Sequence, residues 1–338
     1  MTWSWSDDEI ARLGRYLDER GLCGPVVTVD AVGDGHSNLT YVVTDGARRL
    51  VVRRPPPPPL PPGAHDVVRE ARLVRALAGT PVPVPAVRAV AETGVVVDVP
   101  LVVTDFVEGV VITEHTPPGL DRPAARAAVA ERAVDTLAEL HAVKWQELGL
   151  AEFGRPEGFN SRHLRRICAL AADPDGDLPD SFVRLADWLE HNAPAESGAA
   201  IVHNDYRLGN LMFAPHPPVR VAAVLDWELS TIGDPLFDLG YFLSSIPVAD
   251  EPRTPVTHMG TAALEDGFPS REQLLNRYCD RTGADATRIK WYIALAQFKL
   301  AALYEYGRRR AAAGGGDAYF ADSGMVSSFL SCGEAQMR

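Results

Sequence analysis

The spacing of apolar residues changes character along the chain, from short β-branched runs to long helical repeats. Short runs that predict strands come first, over residues 26–32, 39–43, 50–53, 95–97 and 101–106. Two helices are predicted in the same region. One is capped by Ser6 and ended by Gly21, and the other covers residues 66–77. The first part of the chain is therefore predicted to be rich in β-structure.

Helical periodicity dominates from residue 121 onwards. Helices are predicted over residues 121–143, 161–172, 180–192, 270–281, 287–310 and 317–330. Short apolar runs in their midst predict strands over residues 199–203, 211–213 and 219–225. We therefore predict an α+β protein of two domains. Residues 1–108 form a small β-rich lobe with a leading helix and residues 109–338 a larger, mainly helical lobe, with a cleft between them.

Composition and charge exclude several classes of protein. A length of 338 residues suits about two domains. The net charge of −12 argues against a nucleic-acid partner, because proteins that bind nucleic acids usually have a basic surface. The most apolar stretch, residues 95–112, is too interrupted by charges and Pro100 to cross a membrane. Because the four cysteines lie far apart and the N-terminus is acidic, we expect a cytoplasmic protein.

Three oxygen-bearing side chains follow two of the predicted strands in the second domain. Asp205 and Asn210 come after the run at 199–203, and Asp226 comes directly after the run at 219–225. Each residue alone is typical of a capped turn. As an ordered set framed by strands, their carboxylate and amide oxygens suit Mg²⁺ held jointly with nucleotide phosphates.

The order His203-Asn204-Asp205, then Asn210 and Asp226, resembles the catalytic and metal-binding loops of the aminoglycoside phosphotransferase (APH) family. That family has a protein-kinase-like, bilobal fold. The resemblance implies that ATP and Mg²⁺ are the cofactors and that the γ-phosphate passes to a hydroxyl of a small molecule. It implies that Asp205 takes or orients the hydroxyl proton, while Asn210 and Asp226 hold the metal. Asn204 replaces the usual glycine, a mild departure because Asn tolerates left-handed backbone.

Other roles in the C-terminal lobe also follow from the resemblance. Arg207, two residues after Asp205, would neutralise charge on the transferring phosphoryl group. A surface ion pair remains an open alternative for Arg207. Asp238, in the run Gly-Asp-Pro-Leu-Phe-Asp-Leu-Gly, is expected to brace the catalytic loop, and His203 is expected to have a structural role.

The nucleotide-binding side lies in the N-terminal lobe. Three residues of the loop between the first two strands are expected near the phosphates: Gly35, Ser37 and Asn38. An ordinary hairpin is the alternative for this loop. Arg53 stands where the family has a phosphate-binding lysine, with Glu70 as its pairing acid, and no lysine precedes Lys144. Since Arg and Lys differ in reach and geometry, a non-catalytic pseudokinase module stays open beside the enzyme.

The resemblance also implies an adenine contact and an acceptor class. Backbone groups of Asp105 and Val107 would face the adenine edge. The run at residues 153–159, the run at 206–210 and an arginine-rich helix look like the kinase-like domain fused to some acyl-CoA dehydrogenases. This indicates a hydroxylated metabolite such as a hydroxyacyl-CoA as acceptor, with aminoglycoside phosphorylation as the alternative. The choice between ATP and GTP and the oligomeric state stay open.

Overall fold

The computed structural model describes residues 4–33, 38–56, 65–315 and 317–338. The chain divides into two compact units. Met1–Glu108 and Ala222–Glu228 belong to the first unit, and Gly109–Val221 and Leu229–Arg338 to the second. The short return segment, Ala222–Glu228, therefore belongs with the N-terminal part of the chain and carries Asp226 with it.

An antiparallel sheet is the centre of the first unit. The strands are β1 (Thr28–Val32), β2 (Leu39–Thr44), β3 (Arg49–Arg54), β4 (Val87–Ala91) and β5 (Leu101–Asp105), and the helices are α1 (Asp7–Asp18) and α2 (Val67–Leu77). Hydrogen bonding orders the strands β1-β2-β3-β5-β4, with every neighbouring pair antiparallel. Helix α1 begins at the predicted cap, Ser6, which forms a capping box with Glu9.

The strand predicted over residues 95–97 is wrong, and β4 takes its place in the sheet. The amide of Gly94, which has a φ of +85°, donates to the carbonyl of Val97 at 2.8 Å and closes a turn. Val96 and Val97 are buried in the core that α1 shares with the sheet. The β-branched residues of this run are thus buried in a turn. Their apolar pattern alone does not distinguish such a turn from a strand.

Strand β3 places Arg53 on the α2 face of the sheet. Successive side chains of a strand point to opposite faces. Leu50 and Val52 are buried in the core with Leu13 of α1. Arg53 alternates with them and faces the other way, towards Glu70 of α2.

The second unit is mainly helical. Its helices are α3 (Pro123–His141), α4 (Phe159–Ala171), α5 (Asp180–His191), α6 (Pro235–Ser245), α7 (Pro255–His258), α8 (Arg271–Thr282), α9 (Ile289–Ala312) and α10 (Ser323–Glu334). The short strands are β6 (Val110–Val111), β7 (Ala200–Val202), β8 (Leu211–Phe213), β9 (Val221–Val224), which runs on into the first unit, and β10 (Thr231–Gly233). Turns of 3₁₀ helix lie at Leu208–Asn210, Thr261–Leu264, Ala318–Ala321 and Ala335–Met337.

Helix α9 lies in the interior of the second unit. It packs against α4, α5, α6 and α10, and its middle is apolar on nearly every side, as expected for a buried helix. Within the described ranges, every helix is either too short or too polar to cross a membrane. Because α9 is buried, Lys299 lies inside the unit and is only 7% exposed.

Candidate active site

The loop after β7 carries the predicted catalytic residues. β10 pairs antiparallel with β7, and Thr231 lies opposite Val202 at the end of the strand. The chain then turns at Asn204, whose φ of +65° is left-handed. Asn is one of the few non-glycine residues that accept this conformation. Its side-chain Nδ2 donates to the carbonyl of Leu229 at 2.8 Å, which fixes the turn that presents Asp205.

Asp238 of α6 braces this loop, as the sequence predicts. Its buried carboxylate accepts the backbone N–H groups of His203 at 2.5 Å and of Asn204 at 2.8 Å. Nε2 of His141 lies 3.5 Å from the same carboxylate, and Nδ1 of His141 is 2.6 Å from the hydroxyl of Tyr278. Hydrogen bonds from two backbone N–H groups to a charged carboxylate are stronger than the same bonds to a neutral acceptor, so Asp238 holds the loop firmly.

Asp238→Asn is expected to lower the free energy of unfolding by about 2–4 kcal/mol. An amide has a single acceptor oxygen, so one of the two backbone N–H groups is left facing an NH₂ group in a buried site. Denaturant unfolding measures the change. Asp187→Asn, on the exposed side of α5, is the matched control and should stay within about 0.5 kcal/mol of the parent. Equal losses in both variants would contradict the bracing role.

The carboxylate of Asp205 is held by one donor on each oxygen. The hydroxyl of Tyr241 donates to Oδ1 at 2.5 Å, and Nδ2 of Asn210 donates to Oδ2 at 2.8 Å. Nε of Arg207 lies 3.6 Å from Oδ1. The Asp205 side chain is 20% exposed, so solvent and a substrate hydroxyl can reach it. The structure therefore brings Asp205, Asn210 and Arg207 together, as the sequence predicts.

A 3₁₀ turn at Leu208–Asn210 places Asn210 and Arg207 beside Asp205. The backbone N–H of Asn210 donates to the carbonyl of Arg207 at 2.9 Å, and the Asn210 side chain reaches back to the Asp205 carbonyl at 2.8 Å. The Arg207 guanidinium lies across Gly209, where a Cβ atom would come within 2.3 Å of Nη1. Gly209 thus leaves the space in which Arg207 folds back towards Asp205.

Two residues of this site were missed in the sequence, Tyr241 and Lys299. Lys299 donates from Nζ to the carbonyl of Asn204, and its ammonium lies 4.9 Å from the ring centre of Tyr241. A signal for Lys299 was available, because it is one of only three lysines and is the only charged residue between Trp291 and Tyr304 of α9. Tyr241 follows Asp238 by one helical turn, so it shares a face with the bracing residue.

In the first unit, Arg53 bridges two carboxylates. Nη1 of Arg53 donates to Oε1 of Glu70 at 2.5 Å, and Nη2 donates to Oδ1 of Asp226 at 2.9 Å. Asp226 follows β9 with a left-handed φ of +65°, which turns its side chain out of the strand direction. The pairing of Arg53 with Glu70 that the resemblance implies is therefore present, and Asp226 joins it.

Negative charge exceeds positive charge around Arg53. The pKa of Glu70 is raised to about 7 from an ordinary 4.5, chiefly by burial and also by the nearby carboxylates of Asp226 and Glu228, against the lowering effect of Arg53. The backbone N–H of Trp227 also lowers this pKa. Three carboxylates against one guanidinium leave a surplus of negative charge that favours a cation.

Because Glu70 binds its proton more tightly in the folded state than in the unfolded state, its contribution to stability is largest at low pH. The free energy of unfolding should therefore fall as the pH rises from about 4.5 to about 7. Relative to Glu70→Gln, the protein should lose about 1–3 kcal/mol between about pH 5 and about pH 7.5. Denaturant unfolding of both proteins across this range measures the difference. A difference that does not vary with pH would contradict the raised pKa.

Asn38 joins the same cluster through Glu228. Its Nδ2 donates to Oε2 of Glu228 at 3.2 Å, and its buried Oδ1 has no hydrogen-bond partner among the described residues. Gly35 and Ser37 lie outside the described residues. In the part of the chain that the structure describes, no three or more His, Cys, Asp or Glu side chains are grouped so as to hold a metal ion.

The predicted adenine contacts are the backbone groups of Asp105 and Val107. The backbone N–H of Asp105 donates to the carbonyl of Ala86 at 3.0 Å, so it is already used within the unit. The Asp105 carboxylate accepts two hydrogen bonds from Arg88, both at 2.6 Å. Val107, the other predicted adenine contact, is half-buried.

Comparison with known proteins gives relatives over most of the chain. The model of the phosphotransferase enzyme family, APH, matches residues 28–274. Acyl-CoA dehydrogenase family member 11 of Homo sapiens is 33% identical over 282 residues, which are 82% of this chain and 35% of that protein. Family member 10 of Mus musculus is 32% identical over 288 residues, 83% of this chain and 26% of that protein. The chain thus spans about a third or less of the length of these relatives.

Solved structures share the fold. A candidate aminoglycoside phosphotransferase of Ralstonia eutropha superposes with a TM-score of 0.77 at 30% identity, covering 96% of this chain and 98% of that one. A ternary complex of the aminoglycoside phosphotransferase APH(4)-Ia with AMP-PNP and hygromycin B gives a TM-score of 0.59 at 18% identity, covering 95% and 98%. These matches confirm the predicted α+β, protein-kinase-like fold. The chain belongs to the phosphotransferase enzyme family.

Proposed function

We propose that this small-molecule phosphotransferase moves the γ-phosphate of ATP to a hydroxyl group, with Asp205 as the residue that orients the hydroxyl and takes its proton. The observation that carries the proposal is the Asp205 carboxylate, which is fixed through both oxygens and still partly exposed. Each oxygen keeps a further lone pair for a substrate hydroxyl. As the new P–O bond forms, the bond to the β-phosphate oxygen breaks, ADP leaves, and the hydroxyl proton passes to Asp205.

The residues of the first unit fit a metal-bound nucleotide. The cluster of Arg53, Glu70, Asp226 and Glu228 offers oxygen donors with surplus negative charge, and the buried Oδ1 of Asn38 has no described partner. Mg²⁺, when bound, neutralises charge on the phosphates. Arg53 has the forked donor geometry that binds phosphate oxygens.

We propose Asp226 and Asn210 as the metal ligands, because their spacing from Asp205 matches the family's motif. Asn210 uses Nδ2 for both of its hydrogen bonds to Asp205, so its side-chain oxygen is the atom suited to a cation. One carboxylate and one amide are a small set. Mg²⁺ in phosphate sites typically takes one or two protein ligands and completes its shell with phosphates and water.

A hydroxyacyl-CoA is the acceptor class that the relatives favour. Those named above are acyl-CoA dehydrogenases, and a kinase unit that shares a chain with such an enzyme would act on acyl-CoA esters. The candidate aminoglycoside phosphotransferase of Ralstonia eutropha favours the second acceptor class, an aminoglycoside.

An ADP-release assay with Mg-ATP decides between these acceptors. Hydroxyacyl-CoA esters should stimulate ADP release and gain one phosphoryl group by mass spectrometry, whereas matched acyl-CoA esters without the hydroxyl should do neither. If aminoglycosides stimulate ADP release and hydroxyacyl-CoA esters do not, the acceptor is an aminoglycoside. Calorimetric binding of Mg-ATP without ADP release on any acceptor would instead favour the non-catalytic module.

A further inference from the structure

One face of α6 holds both the backbone and the side chain of the catalytic loop. Asp238 accepts the amides of His203 and Asn204, and Tyr241, one helical turn later, donates to Oδ1 of Asp205 at 2.5 Å. The proposed function uses Asp205 but gives no role to Tyr241.

Tyr241 is a neutral donor in a closed environment. It is 3% exposed, and its ring lies beside the ammonium of Lys299, which donates to the carbonyl of Asn204. Burial raises the pKa of Tyr241 well above its ordinary value, and the charge of Asp205 raises it further. The phenol therefore keeps its proton and donates throughout the neutral pH range.

We propose that Tyr241 is a positioning residue for phosphoryl transfer, an inference that rests on the proposed role of Asp205. With Asn210 on Oδ2 and Tyr241 on Oδ1, the carboxylate is fixed in one orientation about its side-chain bonds. Orientation of a reacting group to within a fraction of an ångström is worth large factors in rate.

Tyr241 and Arg207 approach the same oxygen of the Asp205 carboxylate. Nε of Arg207 is 3.6 Å from the same Oδ1 atom that Tyr241 binds. If the phenol hydroxyl is removed, we expect the Arg207 guanidinium to move closer to Oδ1 and take its place. That contact would turn the carboxylate towards Arg207 and engage both charged groups with each other instead of with substrate.

Tyr241→Phe and Tyr292→Phe form a matched pair. Tyr292 of α9 is also buried, and its hydroxyl donates at 2.7 Å to the buried carboxylate of Asp234. Both variants lose one buried hydrogen bond, and both should show similar losses of thermal stability. Tyr241→Phe should lower kcat about tenfold or more with little change in the KM for ATP. Tyr292→Phe should keep the parent kcat, and equal kcat values in the two variants would overturn the proposal.

A second readout needs no turnover. With tyrosine labelled at the ring carbon Cζ, one of nine resonances disappears in Tyr241→Phe and is thereby assigned. In the parent protein that resonance should show donation to a carboxylate, and it should shift in Asp205→Asn but not in Tyr292→Phe. If the chemical shift of this resonance is unchanged in Asp205→Asn, the inference is overturned even if the protein is an active kinase. If the shift occurs but no acceptor is phosphorylated, the proposed function fails while the hydrogen bond stands.

Discussion

Asp205→Asn is expected to lower the rate of phosphoryl transfer about a thousandfold while Mg-ATP still binds. The amide cannot take the hydroxyl proton. It also has only one acceptor oxygen for two donors, Tyr241 and Asn210, which now occupy both carboxylate oxygens. The substituted side chain therefore loses both its chemistry and part of its orientation.

Single-turnover transfer from radiolabelled ATP measures this loss, and calorimetry measures the binding of Mg-ATP in the same variant. Asp187→Asn, which removes an exposed carboxylate from α5, is the matched control and should retain the parent rate. Transfer by Asp205→Asn at the parent rate would remove Asp205 from the mechanism. Loss of folding, seen as a lower unfolding midpoint, would require Asp205→Glu as the second variant, which keeps the carboxylate and should retain a stable fold with a lowered kcat.

The parts of the site that the sequence predicted are those set by local chain geometry. Asp205, Arg207 and Asn210 lie within six residues, and the local 3₁₀ turn at Leu208–Asn210 brings them together. Most helices were also predicted, since their apolar periodicity extends over several turns. Helices α6 and α7 were not predicted. Helix α6 begins at Asp234-Pro235, and a capping residue followed by proline is typical of a helix start.

The rest of the site depends on contacts between distant segments. Tyr241, Lys299 and Glu228 reach their partners only because α6, α9 and the return segment pack where they do. Nothing in the local sequence around these residues specifies those partners. The same holds for the run at residues 95–97, which has the composition of a strand but packs as a turn.

Arg53→Ala is expected to lower kcat/KM for ATP by about 2–4 kcal/mol, or roughly 30- to 1000-fold. The substitution removes the forked donor and leaves Glu70 and Asp226 as neighbouring carboxylates with no cation between them. Repulsion then opposes the approach of nucleotide phosphates. Because the pKa of Glu70 is already raised to about 7, Glu70 can take up a proton and limit the cost to the fold.

Arg53→Lys separates the effect of the positive charge at this position from the effect of the guanidinium geometry. A lysine keeps the positive charge, but its single ammonium group cannot span two carboxylates as the guanidinium fork does. Its kcat/KM for ATP should therefore fall between those of the parent and of Arg53→Ala. Steady-state kinetics with varied ATP measure the series.

The control is Arg54→Ala, on the same strand but on the opposite face. Arg54 is 5% exposed, packs 4.7 Å from the ring centre of Trp5 and donates to the hydroxyl of Tyr41. Its loss should destabilise the first unit without a specific change in the KM for ATP. If Arg54→Ala and Arg53→Ala raise the KM for ATP equally, the effect reflects damage to the sheet, and the phosphate-binding role of Arg53 is refuted. A large effect confined to Arg53 shows instead that the arginine acts where the family has lysine.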